Sequence, residues 1–342
     1  MRITSDFFGT TSGRQAITKF TLTDGAYSVS VLTFGGIIQS LIVPDRDGNP
    51  VDVVLGFDDV RSYEGQSCYI GALLGRCANR IAGSDVIIGN YAVHLACNDN
   101  GICHLHGGKI GFDRRIWTPA ITDRGLELSY CSPDGEEGYP GTMHATVTYR
   151  LENGKLSLIY HAVCDSDTLC NLSNHTYFNL SGHASGTIGE QYIQILADAY
   201  TPLAWNNAPD GHIAPVAGTP LDLRDMHRFM EGWDMPFDQI TLARGYDHNY
   251  LCNGTGLRTA AYAYSKQTGI RMEVQTDMPG LQLYSGNYLK NLPIGKQGAQ
   301  YGIRNGFCIE TQYPPNAVNC PTFPQPILRA GEEYVHTTVY MF

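Results

Sequence analysis

Charge is scarce in this chain, and basic charge is scarcer still. Only 16% of the 342 residues are Asp, Glu, Lys or Arg, and 23 basic against 33 acidic residues leave a formal charge of −10. Nucleic acids and anionic membrane surfaces need a basic footprint on their partner, so this balance argues against both. A run of about 18 apolar residues is also lacking, so no membrane-spanning helix is predicted. The first residues, Met1-Arg2-Ile3-Thr4-Ser5-Asp6, carry no apolar stretch of signal-peptide length, and a cytoplasmic location is expected. No two of the ten cysteines stand as Cys-x-x-Cys; the nearest pairs are Cys97/Cys103 and Cys164/Cys170. Zinc-ribbon spacing is therefore missing, and the chain is too long for a small disulfide scaffold. Mostly buried, reduced thiols are the expectation. Repeats, low-complexity linkers and breaks in composition are absent as well, so residues 1–342 read as a single domain.

What the chain does have is glycine (38), tyrosine (21) and short alternating runs between turn signals. That pattern marks a sandwich or barrel. Residues 16–23 and 26–34 read as a hairpin joined by Asp24-Gly25, a pair that favours the tight turn between antiparallel strands. Further strands are expected at 37–43, 51–57, 86–88, 91–95, 125–130, 142–151, 155–162 and 168–173. The series continues at 191–197, 259–264, 271–276, 281–284, 306–311 and 333–341. One open sheet of that size would curl or split, so an all-β fold of two packed sheets is predicted. Residues 58–66 and 223–231 are the best short-helix candidates, and 132–141 and 205–219 are long loops rich in Gly, Pro, Asp and Asn.

Three segments carry candidate chemistry. They are His104-Leu105-His106-Gly107-Gly108, Asn174-His175-Thr176-Tyr177-Phe178-Asn179 and Ile309-Glu310-Thr311-Gln312. Each sits in a short apolar run, so its polar side chain should be fixed in place. A proton donor and a proton acceptor on opposite sides of a small substrate suffice for a reaction that only moves protons. His104 and His106 would share a face of an extended strand and together could hold a metal, but no third ligand has plausible spacing.

The chain resembles the aldose 1-epimerase (galactose mutarotase) family from about residue 10 to its end. The motifs are Gly75-Arg76-Cys77-Ala78-Asn79-Arg80-Ile81, Leu105-His106-Gly107-Gly108 with Gly111-Phe112-Asp113, and Ser132-Pro133-Asp134-Gly135-Glu136-Glu137-Gly138-Tyr139-Pro140-Gly141. Then come Asn171-Leu172-Ser173-Asn174-His175-Thr176-Tyr177-Phe178-Asn179-Leu180, Tyr246-Asp247-His248-Asn249-Tyr250, Pro279-Gly280-Leu281-Gln282-Leu283-Tyr284-Ser285-Gly286-Asn287 and Phe307-Cys308-Ile309-Glu310-Thr311-Gln312. Any one alone is weak; their shared order is specific. The resemblance implies a large twisted antiparallel β-sandwich, the galactose mutarotase-like supersandwich, with few short helices. It implies interconversion of the α and β anomers of free aldohexoses by acid–base ring opening and reclosure, with no metal or organic cofactor.

By the same resemblance Glu310 matches the family's base and His175 its acid. Asn79, Arg80, His106, Asp247 and Gln282 match sugar-binding positions, and Tyr177 is a further candidate contact. Asp134 and Glu136 are expected to serve the 132–141 loop and not catalysis. The only expected partner is a monosaccharide, and the expected assembly is a monomer or homodimer. Three readings compete. A glycoside hydrolase would pair Glu310 with Asp247 and leave the histidines superfluous. A hexose-6-phosphate 1-epimerase would add a cationic cluster for the phosphate. A non-catalytic sugar-binding protein would show degraded His106, His175 or Glu310.

Overall fold

The computed structural model describes residues 1–89 and 91–342. Antiparallel strands dominate, and the α-helices among the described residues are three short pieces, Val60–Glu64, Phe229–Gly232 and Asp238–Ala243. A nine-stranded sheet runs in the order Thr118–Thr122, Gly125–Ser132, Met143–Glu152, Lys155–Cys164, Glu333–Met341, Arg271–Thr276, Arg258–Tyr264, Tyr192–Ile195 and His227–Arg228. A five-stranded N-terminal sheet holds Arg2–Thr10, Ala16–Asp24, Tyr27–Leu32, Ile38–Pro44 and Pro50–Asp52. A second five-stranded sheet holds Ala214–Pro215, Ala199–Thr201, Asp247–Leu251, Gly280–Tyr284 and Cys308–Gln312.

Alternation explains the layers. In Lys155–Cys164 every second residue is buried: Leu156, Leu158, Tyr160, Ala162 and Cys164. Those side chains join one apolar cluster with Val29, Val31 and Ile38 of the N-terminal sheet and Leu281, Leu283 and Ile309 of the other five-stranded sheet. The three sheets therefore close on a shared core, which holds each at a fixed distance from the next.

The expected strands 271–276 and 333–341 match the observed bounds, and the Asp24-Gly25 hairpin forms with Asp24 opposite Tyr27. Other expectations are corrected. The 51–57 run leaves its sheet after Asp52 and bridges to Phe178 through Val54 instead. The 168–173 run is broken into two short pieces, Thr168–Leu169 and Ser173–Asn174, that pair with different strands. Of the expected helix at 223–231 only Phe229–Gly232 is helical; His227–Arg228 pairs with Tyr192–Ile195, and the Leu223 carbonyl accepts from the Ile195 amide. Sheet hydrogen bonds thus claim the groups a helix would have used. The edge strand Arg2–Thr10 was missed because exposure on both faces removes its alternation.

Arg76 secures the wall behind the 104–108 segment. It is almost wholly buried, and its guanidinium donates to the carbonyls of Ser132, Pro133, Pro140 and Gly141 and to Ser132 Oγ. Asp134 accepts from the Gly141 amide, and Glu136 accepts from Tyr130 and Ser132 and pairs with Arg115, so both acids serve the loop. Glu137 in turn accepts from the Lys109 and Ile110 amides. Arg76→Met orphans several buried carbonyls at once. It is expected to lower the unfolding free energy by about 3 kcal/mol or more, read by urea denaturation. A loss under about 1 kcal/mol would mean that water replaces the guanidinium at little cost.

Candidate active site

Period-two geometry aims one face of the second five-stranded sheet at a cleft. Cys308 and Glu310 lie on the same face of their strand, and Glu310 stands opposite Gln282, with Asp247 opposite Tyr284 and Tyr284 opposite Cys308. The cleft has a volume of about 200 Å3, below the range of roughly 300–1,000 Å3 for drug-sized ligands, as befits one small molecule.

His175 reaches this cleft from a different part of the chain. Its amide donates to the Ala72 carbonyl at 2.8 Å, and its carbonyl accepts from the Gly71 amide at 3.0 Å. Asn174 donates to the Gly71 carbonyl and accepts from Thr176, which fixes the turn that presents the ring. His175 Nε2 lies 3.7 Å from Glu310 Oε1. The two side chains are thus neighbours, whereas a donor and an acceptor on opposite sides of a substrate were expected.

His106 is placed by a reciprocal backbone lock. Its amide donates to the Asn79 carbonyl, and the Asn79 amide donates to His106 Nδ1, each at 3.1 Å. Both residues have positive φ, +62° at Asn79 and +51° at His106, a conformation that costs asparagine least. Gly107 is obligatory beside them, since a Cβ there would lie 1.7 Å from the Gly75 carbonyl oxygen. This turn ends the strand at Leu105 and separates the two histidines. His104 is fully buried, with Nδ1 2.9 Å from the Ala96 carbonyl and Nε2 2.6 Å from the Tyr139 hydroxyl. The expectation that His104 and His106 share a face is therefore overturned, and His104 is a core histidine.

A different trio converges: nitrogen or oxygen atoms of His106, His175 and Glu310 all lie within 4.8 Å of one another. Sequence spacing gave no sign of this third group. The lock on His106 decides what the trio can bind. Its Nδ1 lone pair takes the Asn79 N–H, so in the neutral ring Nε2 carries the proton and is a donor. A ring with neither lone pair free makes a poor metal ligand and a good partner for a hydroxyl oxygen.

Arg80 spans two aspartates. Nε donates to Asp99 at 2.7 Å, and a terminal nitrogen lies 3.8 Å from Asp247. Asp247 also accepts from Gln282 Nε2 at 2.8 Å, and Gln282 Oε1 accepts from Gln312. Gln282 is thus engaged on both sides of its amide and stands behind Asp247, not on the cavity wall. Tyr177 does line the cleft, but its hydroxyl donates to the Cys68 carbonyl at 3.0 Å, so its ring is a wall beside His175. Glu310, His175, His106, Asn79, Arg80, Asp247 and Tyr177 all meet at the cleft.

Tyr69, Asp99, Tyr284 and Tyr288 also line it and were missed. Asp99 sits in Asn98-Asp99-Asn100-Gly101, which reads as turn chemistry. Tyr69, whose ring lies 4.5 Å from that of His106 and 5.9 Å from that of His175, offers no sequence signal at all.

Burial sets the protonation states. Desolvation holds the Glu310 carboxyl well above the usual carboxylate range; the nearby Asp247 adds to this and Arg80 opposes it. Desolvation also depresses the His175 imidazole to about 3. Both shifts favour an uncharged pair, with one proton between the two groups, over a buried ion pair. Glu310 Oε2 is buried and has no hydrogen-bond partner.

A β-sandwich whose small cleft gathers a buried carboxyl and imidazole with further polar side chains suits an enzyme that moves protons on a small molecule. The comparisons agree. Residues 18–341 match the family described as aldose 1-epimerase. The chain is 41% identical to galactose mutarotase of Homo sapiens, covering 97% of this chain and 95% of that protein. It is 36% identical to aldose 1-epimerase of Escherichia coli (strain K12), covering 92% and 91%. Among solved structures, galactose 1-epimerase from Lactobacillus acidophilus superposes with a TM-score of 0.86 at 28% identity, covering 99% and 98% of the two chains. The chain belongs to the aldose 1-epimerase family, isomerases that interconvert the anomers of aldoses.

The raised Glu310 carboxyl has a stability consequence with a definite sign. In the unfolded chain Glu310 ionises near 4.5, while the fold holds its proton to higher pH. Unfolding therefore releases a proton in that window, and this group's contribution falls as pH rises through it. Glu310→Gln removes the effect and is expected to raise stability at pH 7 by about 1 kcal/mol or more. Parallel urea titrations at pH 4.5 and pH 7 check this; an equal gain at both values contradicts it.

Proposed function

We propose that Glu310 is the base and His175 the acid of an aldose 1-epimerase acting on free hexoses such as galactose and glucose. Glu310 takes the anomeric hydroxyl proton while His175 Nε2 gives one to the ring oxygen. The ring opens to an aldehyde, the C1–C2 bond rotates, and reclosure runs both transfers backwards. The shared proton lets the pair act: its passage from Glu310 to His175 creates base and acid together. Two positioned groups at about 10²–10⁴-fold each supply roughly 5–11 kcal/mol, ample for a reaction that already proceeds in water. The observation that carries the reading is the 3.7 Å approach of the two buried groups in the floor of the cleft.

Arg80, Asn79, His106 and Asp247 bind sugar hydroxyls in this reading. Gln282 orients Asp247, and Tyr177 supports the His175 ring. Residues 1–342 act as one domain, supported by the core that all three large sheets share. A neutral sugar is favoured over a hexose phosphate, because the cation on the cleft wall is already held by Asp99 and Asp247. A cytoplasmic setting is part of the proposal, with all ten cysteines as thiols and six of them buried.

Polarimetry on freshly dissolved α-galactose and α-glucose tests the activity. The expected result is a faster approach to the equilibrium rotation without new reducing ends. Release of reducing ends from glycosides indicates hydrolysis, and no effect in either assay indicates a binding role. Glu310→Gln is expected to lower kcat by about 10²–10⁴-fold while galactose binding persists, and His175→Ala by at least about 10²-fold. A His175→Ala change confined to KM would move that residue from proton transfer to binding.

A further inference from the structure

Cys308 has no role in the chemistry above, yet its sulfur stands beside the far nitrogen of the His175 imidazole. Its Sγ lies 3.3 Å from His175 Nδ1, the one hydrogen-bond contact the ring makes among the described residues. Cys308 is fully buried and sits two residues before Glu310, on the same strand face. One strand therefore presents a carboxyl to Nε2 and a sulfur to Nδ1 of the same ring.

We infer that Cys308 is a positioning residue: its sulfur accepts a hydrogen bond from His175 Nδ1–H and so reserves Nε2 for proton exchange. The inference rests on His175 being the acid. A neutral imidazole has one N–H. If that proton sits on Nε2, the ring cannot take the shared proton from Glu310. With the proton on Nδ1, Nε2 holds a lone pair toward Glu310, receives the proton, passes it to the ring oxygen and returns to the same tautomer. Sulfur is a weak acceptor, and His175's own backbone carbonyl also favours a protonated ring nitrogen, but among the described residues no other side chain makes a hydrogen-bond contact with Nδ1. Burial also raises the thiol well above its ordinary range, which keeps it neutral beside the pair. The two cleft histidines are thereby held in opposite tautomers. The Asn79 amide makes His106 a fixed Nε2–H donor, while Cys308 leaves His175 Nε2 free to exchange.

The test pairs two variants with one spectrum, all on the full chain. Cys308→Ala removes the acceptor and is expected to lower kcat by about 10-fold, with KM for galactose unchanged within twofold. Cys308→Ser supplies a hydroxyl oxygen at nearly the same place and is expected to stay within about threefold of wild type. Ring 15N shifts of His175 in the unmutated protein are expected to show a protonated Nδ1 and a bare Nε2 near neutral pH. A bare Nδ1 overturns the inference whether or not a variant folds. Equal loss in Ala and Ser also overturns it, because a packing role would not be rescued by oxygen. Failure of the reading beneath it looks different: His175→Ala would then keep its turnover.

Discussion

Desolvation of a carboxyl and an imidazole 3.7 Å apart is the constraint on which the site depends. In water each group would hold its ordinary charge, and the pair would form an ion pair of little use for exchange. Buried among Tyr69, Tyr177 and Tyr284, neither gains from charge, and a single proton serves both. With the carboxyl raised and the imidazole depressed, the resting proton belongs to Glu310. The groups around the pair adjust that balance: Asp247 pushes the carboxyl up, and Arg80, divided between Asp99 and Asp247, pulls it down.

Such a pair is costly to hold, and the fold provides for it. Glu310 rides on a strand whose register with Gly280–Tyr284 and Asp247–Leu251 is fixed by backbone bonds. His175 is clamped by Gly71 and Ala72 on a segment from elsewhere in the chain. His106 is held by the amide and carbonyl of Asn79. Arg76 and Glu137 brace the loops behind that turn. None of these supports moves without breaking hydrogen bonds in a dry interior, so the cleft arrives at its substrate already arranged.

Much of this was legible in the sequence, and the rest had physical reasons to be hidden. Alternation marked the half-buried strands such as Lys155–Cys164, because one buried face leaves a period of two. It failed at Arg2–Thr10, exposed on both faces, and at Asp247–Leu251, where polar side chains line a cleft. Motif resemblance pointed to Glu310, His175, His106, Arg80 and Asp247, which do converge. It also placed Gln282 against substrate, whereas the structure turns it behind Asp247. Tyr69 and Asp99 were invisible because their importance comes from what they touch.

Composition and patterning alone determined that this is a β-rich, acidic chain without a membrane-spanning helix, and order-preserving motifs fixed its family. Those properties are local or additive, so they survive in one dimension. Tertiary structure alone decided that Glu310 and His175 are neighbours, that His104 belongs to the core, that the Asn79 amide engages His106 Nδ1 and that Cys308 stands behind His175. Each of these depends on two segments distant along the chain meeting within a hydrogen bond's length, and a linear pattern carries no measure of that distance.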